Sequence, residues 1–170
     1  MIEYKGLAFK FGDDINTDYI ISSRRKRDTL DLTVLKQYIM EDIRPGFYNE
    51  LKEVNILVAG ENFGCGSAME VAAQVVKENN IPVILAKTFS RSYYRNAINN
   101  GILIVEMDTD NISENDIVEV VMDDKNIIVT DLTNEYTVNV KSFNEEIRKI
   151  LLYGGLIGYM RQNDRGYING

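Results

Sequence analysis

Short apolar runs alternate with helical patterns through the middle of the chain. The run 54–59 is almost continuously apolar, which is typical of a buried strand, and it ends directly at Gly60. An apolar stripe at helical spacing follows over residues 71–76 and ends at Asn79-Asn80. The alternation continues with a strand at 82–86, a helix at 90–100 before Gly101, and a strand at 102–106. This order predicts parallel strands joined by right-handed crossovers, an α/β arrangement.

The last third of the chain changes to strand-like patterns. Alternating or β-branched runs at residues 117–122, 126–131 and 136–140 predict an antiparallel meander. A final helix is expected over residues 143–153, closed by Gly154-Gly155, with one more turn at 156–160. The polar segment 162–170 is expected to be a flexible tail.

The segment before Pro45 carries weaker patterns. Residues 6–11 and 19–21 are expected to be extended on either side of a turn, and the apolar spacing over 30–40 predicts a helix that ends before Pro45. The chain shows no repeat, linker or low-complexity tract. We therefore expect residues 1–170 to form one domain, which at 170 residues can bury a core without disulfides.

The composition excludes several kinds of site. The chain has no histidine, which rules out a Ser-His-Asp triad, a Cys-His pair and a His-ligated metal within it. Its one cysteine, Cys65, cannot form an internal disulfide or hold a cluster alone, so no metal site is expected. The net charge of −7 disfavours nucleic acid as a partner. With no signal-peptide layout and no run of roughly 18 apolar residues, we expect a soluble cytoplasmic protein that does not enter a membrane.

The stretch GENFGCGSAME, residues 60–70, places glycines and a serine between a strand and a helix. Glycines allow a sharp turn, and free N–H groups at a helix start attract an anion such as a carboxylate. The stretch lacks the lysine of a phosphate-binding loop and the glycine spacing of a dinucleotide fingerprint, so a carboxylate is the expected ligand. The pattern Ser-x-x-Glu from Ser67 also predicts a capping box, a position in which a serine can still carry an oxyanion.

Three other polar features are candidates for chemistry. The basic run 24–27 is expected to be an exposed loop, and it is interpreted as a solvated segment, a weak nuclear-targeting signal, or a carboxylate-binding segment. Arg91 and Arg95 share a helix face with Asn99, where pairing with acidic residues is the default expectation and anion binding the alternative. Cys65 is expected to fill a tight turn, because no histidine can take its proton.

Several motifs in this order resemble one known family. They read GDDINTD at 12–18, GENFGCGS at 60–67, AKTFSR at 86–91, YRNAIN at 94–99 and GGLIGY at 154–159. Together they are similar to the small subunit of 3-isopropylmalate dehydratase, the separate-chain equivalent of the aconitase C-terminal domain. The resemblance implies a three-layer β/β/α swivelling domain with a mixed sheet. It also implies no cofactor in this chain and a large-subunit partner that carries a 4Fe-4S cluster, in a heterodimer or heterotetramer.

The resemblance also implies roles for individual residues. Ser67, next to Gly66 in the substrate-binding loop, matches the base that removes a proton from the carbon next to a carboxylate, while the cluster acts as a Lewis acid on the departing hydroxyl. Arg27 matches an arginine that contacts the substrate, and Arg24 and Lys26 are further candidates. The residues expected to support the site are Thr17, Asp18, Asn62, Cys65, Arg91 and Arg95.

The implied function is a hydro-lyase of leucine biosynthesis that isomerises 2-isopropylmalate and 3-isopropylmalate by dehydration and rehydration. Homoaconitase and methylmalate or dimethylmalate dehydratase, which act on similar malate-like di- or tricarboxylates, are the enzyme alternatives. The chain departs from the family at Ser22-Ser23, where Pro-Gly is common, and at Met69, which replaces an arginine expected to bind a carboxylate. Either a loop arginine supplies that charge or the substrate differs. Met69 also motivates an alternative of another class, a non-catalytic binding paralogue.

Overall fold

The computed structural model describes residues 1–167, and the side chains of residues 1–164. The strands are β1 (Ile2–Lys10), β2 (Asn55–Val58), β3 (Val83–Ala86), β4 (Leu103–Glu106), β5 (Ile117–Met122), β6 (Asn126–Asp131) and β7 (Tyr136–Lys141). They form one seven-stranded sheet in the order β4-β3-β2-β1-β5-β6-β7. The helices are α1 (Thr17–Ile20), α2 (Ser23–Asp28), α3 (Leu32–Leu35), α4 (Phe47–Glu50), α5 (Glu70–Glu78), α6 (Arg91–Asn99), α7 (Glu145–Leu152) and α8 (Leu156–Tyr167), with a 3-10 turn at Lys36–Tyr38.

The sheet is mixed, as the sequence predicts. Strands β1 to β4 pair in parallel, whereas β5 pairs antiparallel with β1 and is followed by two antiparallel hairpin partners. Every residue of β2 and β3 is buried, as expected for strands that are covered on both faces, while β5 and β6 alternate in burial. The predicted parallel unit and the predicted antiparallel meander are both confirmed.

Two hydrophobic cores lie on opposite faces of the parallel strands. On one face, Leu57 and Ile84 pack with helical residues such as Val75. On the other face, Val58 shares a core with Val118 of the meander. The sheet therefore folds over on itself, and helices, parallel strands and meander form the three layers that the resemblance implies.

Two predictions for the segment before Leu32 are wrong. Residues 19–21 were expected to be extended, but most of them lie in or at the end of α1, because the Asn16 side chain accepts a hydrogen bond of 2.9 Å from the Asp18 N–H and caps a helix there. The basic run was expected to be a loop, but it forms α2. Three of its four cations, Arg25, Lys26 and Arg27, lie in the last helical turn, where the helix dipole favours positive charge.

Two helix boundaries also differ from prediction. The single helix expected over residues 30–40 is broken into α3 and the 3-10 turn, and Met40 leaves the helical conformation with a φ of +55°. The expected polar tail begins within a helix, since α8 continues through Tyr167, with Leu156 and Tyr159 packed against the core. Residues 168–170 lie outside the described residues.

Candidate functional site

The candidate site lies at the carboxyl end of the parallel strands. There the segment 60–67, here called the site loop, runs between the loop after β1 and the loop after β3. The Gly64 N–H donates to the Ile15 carbonyl at 2.8 Å on one side, and the Ser90 N–H donates to the Phe63 carbonyl at 2.9 Å on the other. This end of an open α/β sheet is where such folds commonly bind ligands.

Two glycines let the site loop pass closely between its neighbours. Gly64 has a φ of +79°, and a Cβ atom there would lie 2.2 Å from the Tyr93 side chain. Gly66 has a φ of +90°, and a Cβ atom there would lie 2.6 Å from the Asn16 amide group. Both positions need glycine for conformation and for space. The tight turn that the sequence predicts is therefore present.

Ser67 lies at the end of this turn and is exposed. Its backbone carbonyl accepts a hydrogen bond of 2.9 Å from the hydroxyl of the buried Thr17, and the Thr17 N–H donates to the Cys65 carbonyl, also at 2.9 Å. Within the described part of the chain, the Ser67 hydroxyl itself forms no hydrogen bond. The backbone of Ser67 is thus held in place while its hydroxyl stays available to a ligand.

The predicted capping box at Ser67 is wrong. Helix α5 begins at Glu70, its N-cap residue is Met69, and no side chain among the described residues caps it. The reason is tertiary: the conformation of Gly66 and the two hydrogen bonds from Thr17 hold residues 65–67 outside the helix. Ser67 therefore has no capping role to combine with a chemical one.

Asn62 and Cys65 belong to the framework of the site loop. Asn62 has a φ of +60°, its amide donates to the Asp14 carboxylate at 2.9 Å, and its backbone N–H donates to the Thr88 hydroxyl at 2.7 Å. Cys65 is half-buried. Burial, with a further contribution from the negative charge of Asp14, raises the pKa of the Cys65 thiol above its ordinary value. A thiol in this state is a poor nucleophile, in agreement with the prediction that Cys65 fills the turn.

The guanidinium groups of Arg24 and Arg25 in α2 form ion pairs with acidic residues that follow α3. The Arg24 guanidinium lies 2.9 Å from an Asp42 carboxylate oxygen. Arg25 donates two hydrogen bonds to the Glu41 carboxylate, at 2.8 and 3.0 Å, and lies 3.8 Å over the centre of the Tyr38 ring. The hydrogen bond from Arg25 holds the pKa of Glu41 below its ordinary value, although burial opposes this. These pairs anchor α2 and engage both guanidinium groups.

The other two cations of α2 have a different environment. The Lys26 Nζ atom lies 2.7 Å from the Met69 Sδ atom and 3.5 Å from an Asp18 carboxylate oxygen. Asp18 also accepts a hydrogen bond of 2.5 Å from the Ser23 hydroxyl, which together with the Lys26 charge lowers the pKa of Asp18. Arg27 is exposed and forms no ion pair with any described residue. The structure thus brings Asp18, Lys26 and Met69 together.

Arg91 and Arg95 lie on the exposed side of α6. The start of this helix is tied to the site loop, because the Ser90 hydroxyl donates to the Gly64 carbonyl at 2.7 Å. Neither arginine forms an ion pair with a residue of the described chain, so the default expectation of pairing with acidic residues is wrong. Their guanidinium groups are also not hydrogen-bonded to the rest of the site in the part of the chain that the structure describes.

The sequence reasoning missed two residues that build the site. Asn16 caps α1 and packs beside Gly66, and Ser90 caps α6 and binds the site loop. A signal for both was present, since Asn or Ser directly before a helical run is a typical N-cap. The contact between Lys26 and Met69 has no such local signal, because it joins residues that are 43 positions apart.

The chain offers no place for a metal cluster within its described residues. No group of three or more His, Cys, Asp or Glu side chains in that part of the chain could hold a metal ion. An iron–sulfur cluster needs several thiolate ligands, so the described residues do not fit one. None of the described helices combines the length and the apolar character needed to cross a membrane.

Comparisons with known proteins agree with this geometry. The family model of the aconitase C-terminal domain matches residues 21–110. The 3-isopropylmalate dehydratase small subunit of Caldanaerobacter subterraneus subsp. tengcongensis is 45% identical over 163 residues, which are 95% of this chain and 99% of that protein. The methanogen homoaconitase small subunit of Methanocaldococcus jannaschii is 40% identical over 158 residues, which are 93% of this chain and 91% of that protein.

A solved structure extends the similarity to three dimensions. The crystal structure of 3-isopropylmalate dehydratase (LeuD) from Methanocaldococcus jannaschii matches with a TM-score of 0.90 and 37% identity, and the match covers 99% of both chains. Sequence and fold therefore agree over nearly the full length. The chain belongs to the aconitase C-terminal domain family, among the small subunits of 3-isopropylmalate dehydratase and its close relatives.

Proposed function

We propose that this chain is the small subunit of a hydro-lyase that isomerises 2-isopropylmalate and 3-isopropylmalate in leucine biosynthesis. The observation that carries the proposal is the exposed hydroxyl of Ser67, which has no partner in the described chain although its backbone is fixed. The choice of substrate is supported by relatives at 45% and 39% identity that carry the name 3-isopropylmalate dehydratase small subunit.

In this proposal Ser67 is the base of the reaction. Its Oγ atom takes the proton from the substrate carbon next to a carboxylate, the carbon–carbon double bond forms, and the hydroxyl group leaves from the adjacent carbon. In rehydration the same atom returns a proton to the double bond. A serine can do this only where nearby dipoles and cations stabilise its negative charge. Lys26, which contacts Met69 two positions after Ser67 and has no close ion pair, is a cation that suits that task.

The other predicted site residues divide into substrate contacts and support. We propose that Arg27 contacts the variable group of the substrate and that Gly66 lets the backbone approach it. Arg24 is less suited to a direct contact, because Asp42 and Glu41 hold its guanidinium. The proposed supporting residues are Thr17, Asp18, Asn62 and Cys65 around the loop, with Arg91 and Arg95 as the exposed cations of α6.

The reaction also needs a Lewis acid, which we place in a partner. We propose that a separate large subunit carries the 4Fe-4S cluster and binds this chain in a heterodimer or heterotetramer in the cytoplasm. Residues 1–170 would then act as one swivelling domain that brings Ser67 to the substrate in the complex. The proposal is supported by the small-subunit relatives and by the absence of suitable ligands in the described chain.

The alternatives to this proposal are another substrate and a non-catalytic role. A homoaconitase small subunit is supported by the relative of that name at 40% identity, and a methylmalate or dimethylmalate dehydratase would use the same chemistry on a smaller side group. A non-catalytic binding paralogue is motivated by Met69, which cannot supply a charged donor to a carboxylate. Turnover of each acid distinguishes the enzymes, and its complete absence identifies the paralogue.

The deciding experiment is reconstitution with a cluster-bearing large subunit of the same organism. We expect the purified pair to convert 3-isopropylmalate through its unsaturated intermediate, followed by absorbance, while each subunit alone is inactive. Preference for homoaconitate or a methylated malate would change the proposed substrate and leave the proposed type of reaction unchanged. A stable, cluster-loaded complex that is inert on every candidate acid would overturn the enzyme proposal.

A further inference from the structure

Lys26 is the most buried of the cations that form ion pairs in the described chain. Its side chain is 12% exposed, compared with 25% for Arg44 and 56% for Arg24. Arg44 nevertheless has two carboxylate partners, at 2.5 and 2.6 Å. Burial of a positive charge is unfavourable unless it is well compensated. Lys26 combines the deepest burial with the weakest acceptors.

The acceptors around Lys26 do not satisfy all the hydrogen-bond donors of its ammonium group. This group carries three N–H donors. They meet the thioether sulfur of Met69, a weak acceptor, at 2.7 Å, and an Asp18 carboxylate oxygen at 3.5 Å, which is long for a hydrogen bond. The same Asp18 oxygen already accepts the Ser23 hydroxyl. The ammonium therefore has donor capacity for an additional anionic oxygen.

A closed ring of contacts connects this ammonium to Ser67. The Ser67 carbonyl accepts from Thr17, and the next residue along the chain, Asp18, lies at Lys26. Lys26 in turn contacts Met69, which is two positions after Ser67 in the sequence. Lys26 and Ser67 therefore belong to one connected cluster of residues at the end of the site loop.

We infer that Lys26 binds the carboxylate of the substrate on which Ser67 acts, and that the Met69 sulfur occupies the place that a carboxylate oxygen takes when the substrate enters. This inference rests on the proposed function and names the cation of that same site. The Lys26 ammonium group is the partner of the carboxylate, and Asp18 is the residue that positions this ammonium group. Arg24 and Arg25 are not candidates for this role, because Glu41 and Asp42 engage their guanidinium groups.

The test is a set of variants in the reconstituted complex with the large subunit. Lys26→Met keeps the length and apolar stem of the side chain and removes the charge. Loss of a charge-assisted hydrogen bond should raise the KM for the dicarboxylate by roughly 10- to 100-fold, with a smaller change in kcat. Lys26→Arg, which restores a cation, should recover most of the affinity. Lys87→Met is the matched control, because Lys87 is a cation that pairs with Asp110 at 2.8 Å. This variant should leave KM unchanged.

Binding is measured beside turnover, by equilibrium dialysis of radiolabelled 3-isopropylmalate, and thermal unfolding checks that each variant is folded. Weaker binding by folded Lys26→Met, with recovery in Lys26→Arg, supports the inference even if the complex is catalytically slow. Wild-type affinity and KM in folded Lys26→Met would overturn the inference and leave the proposed function standing. A wild-type complex that neither binds nor converts any candidate acid would overturn both.

Discussion

The site loop and helix α2 both carry predicted site residues, but they are positioned by different forces. The site loop is held by backbone hydrogen bonds to the loops on both sides, with glycine at two positions of positive φ. Helix α2 has six residues, none of them buried, and it is held by side-chain pairs between its arginines and Glu41. One segment is part of the framework of the fold, and the other is attached to its surface.

This difference suits two tasks. A group that transfers a proton must be held within a fraction of an ångström, and backbone hydrogen bonds within a packed edge provide that precision. A segment that recognises the substrate can vary more freely when surface ion pairs hold it, because such pairs contribute little to stability. We therefore expect changes in the site loop to affect rate or folding, and changes in α2 to affect chiefly KM.

The largest expected effect is that of Ser67→Ala in the reconstituted complex. Loss of the proposed base should lower kcat by about 10²- to 10⁴-fold, measured by steady-state turnover of 3-isopropylmalate. The free energy of unfolding should not change, because the hydroxyl forms no hydrogen bond within the described chain. Ser142→Ala is a matched control, since its hydroxyl binds the Asp123 carbonyl away from the site. Near-normal turnover in Ser67→Ala would remove Ser67 from the mechanism.

Gly64→Ala should test the framework of the loop. Alanine at a φ of +79°, with its Cβ atom 2.2 Å from the Tyr93 side chain, should lower the free energy of unfolding. The expected loss is about 3 kcal/mol from backbone strain and overpacking, measured by urea titration of the isolated chain. Gly12→Ala is the control, because a Cβ atom at Gly12 meets no atom of the described residues within 4 Å. Equal stability of the two variants would contradict the close packing of the loop.

Thr17→Val should affect both stability and rate. It removes the buried hydroxyl that binds the Ser67 carbonyl. We expect a loss of about 1–2 kcal/mol in the free energy of unfolding and a roughly tenfold lower kcat from the displaced Ser67. Thr17→Ser, which keeps the hydroxyl, should retain most of both. If Val and Ser variants behave alike in stability and turnover, this hydrogen bond does not position Ser67.

The smallest expected effect is that of Glu41→Gln, which weakens the anchor of α2. The KM should rise a few-fold while kcat stays unchanged. Because the folded-state pKa of Glu41 lies below its ordinary value of 4.5, chiefly through the hydrogen bond from Arg25, its contribution to stability is present above that value. It is lost as the pH falls through the lowered pKa.

The matching measurement is urea unfolding between neutral pH and about pH 3. Glu41→Gln should lack this part of the acid-induced loss, which is about 1 kcal/mol for a pair in which the Arg25 and Glu41 side chains are 32% and 18% exposed. Glu78→Gln, with no ion pair in the described chain, is the control and should follow the wild-type pH dependence. A pH dependence of Glu41→Gln identical to that of the wild type would show that this pair does not stabilise α2.

The elements that the sequence predicts well are those in which the burial of successive residues follows a regular pattern. Strands β2 and β3 are buried on both faces and read as continuous apolar runs, and β5 and β6 alternate because the two faces of the meander differ in burial. The tight turn at Gly64 and Gly66 is also predicted, since positive φ favours glycine. In each case the signal lies within a few neighbouring residues.

The predictions that fail depend on contacts between distant segments. The Ser-x-x-Glu pattern at Ser67 is a valid local signal, but the hydrogen bonds from Thr17 prevent a helix from starting there. Residues 19–21 look extended by their apolar side chains, yet the Asn16 cap makes most of them helical. The four cations of residues 24–27 look equivalent in sequence, and only the folded chain separates those that pair with Glu41 from Lys26.

By itself, the sequence determined the class of fold, the exclusion of histidine chemistry and the loop that carries Ser67, because burial patterns, residue types and glycine conformations are local properties. The tertiary structure alone decided that Ser67 is not a helix cap and that Lys26 meets Met69 beside it. Those features arise where segments far apart in sequence meet at the carboxyl end of the parallel strands. The proposed roles of the cations depend on these contacts, because charges interact through their distance in space and not through their spacing along the chain.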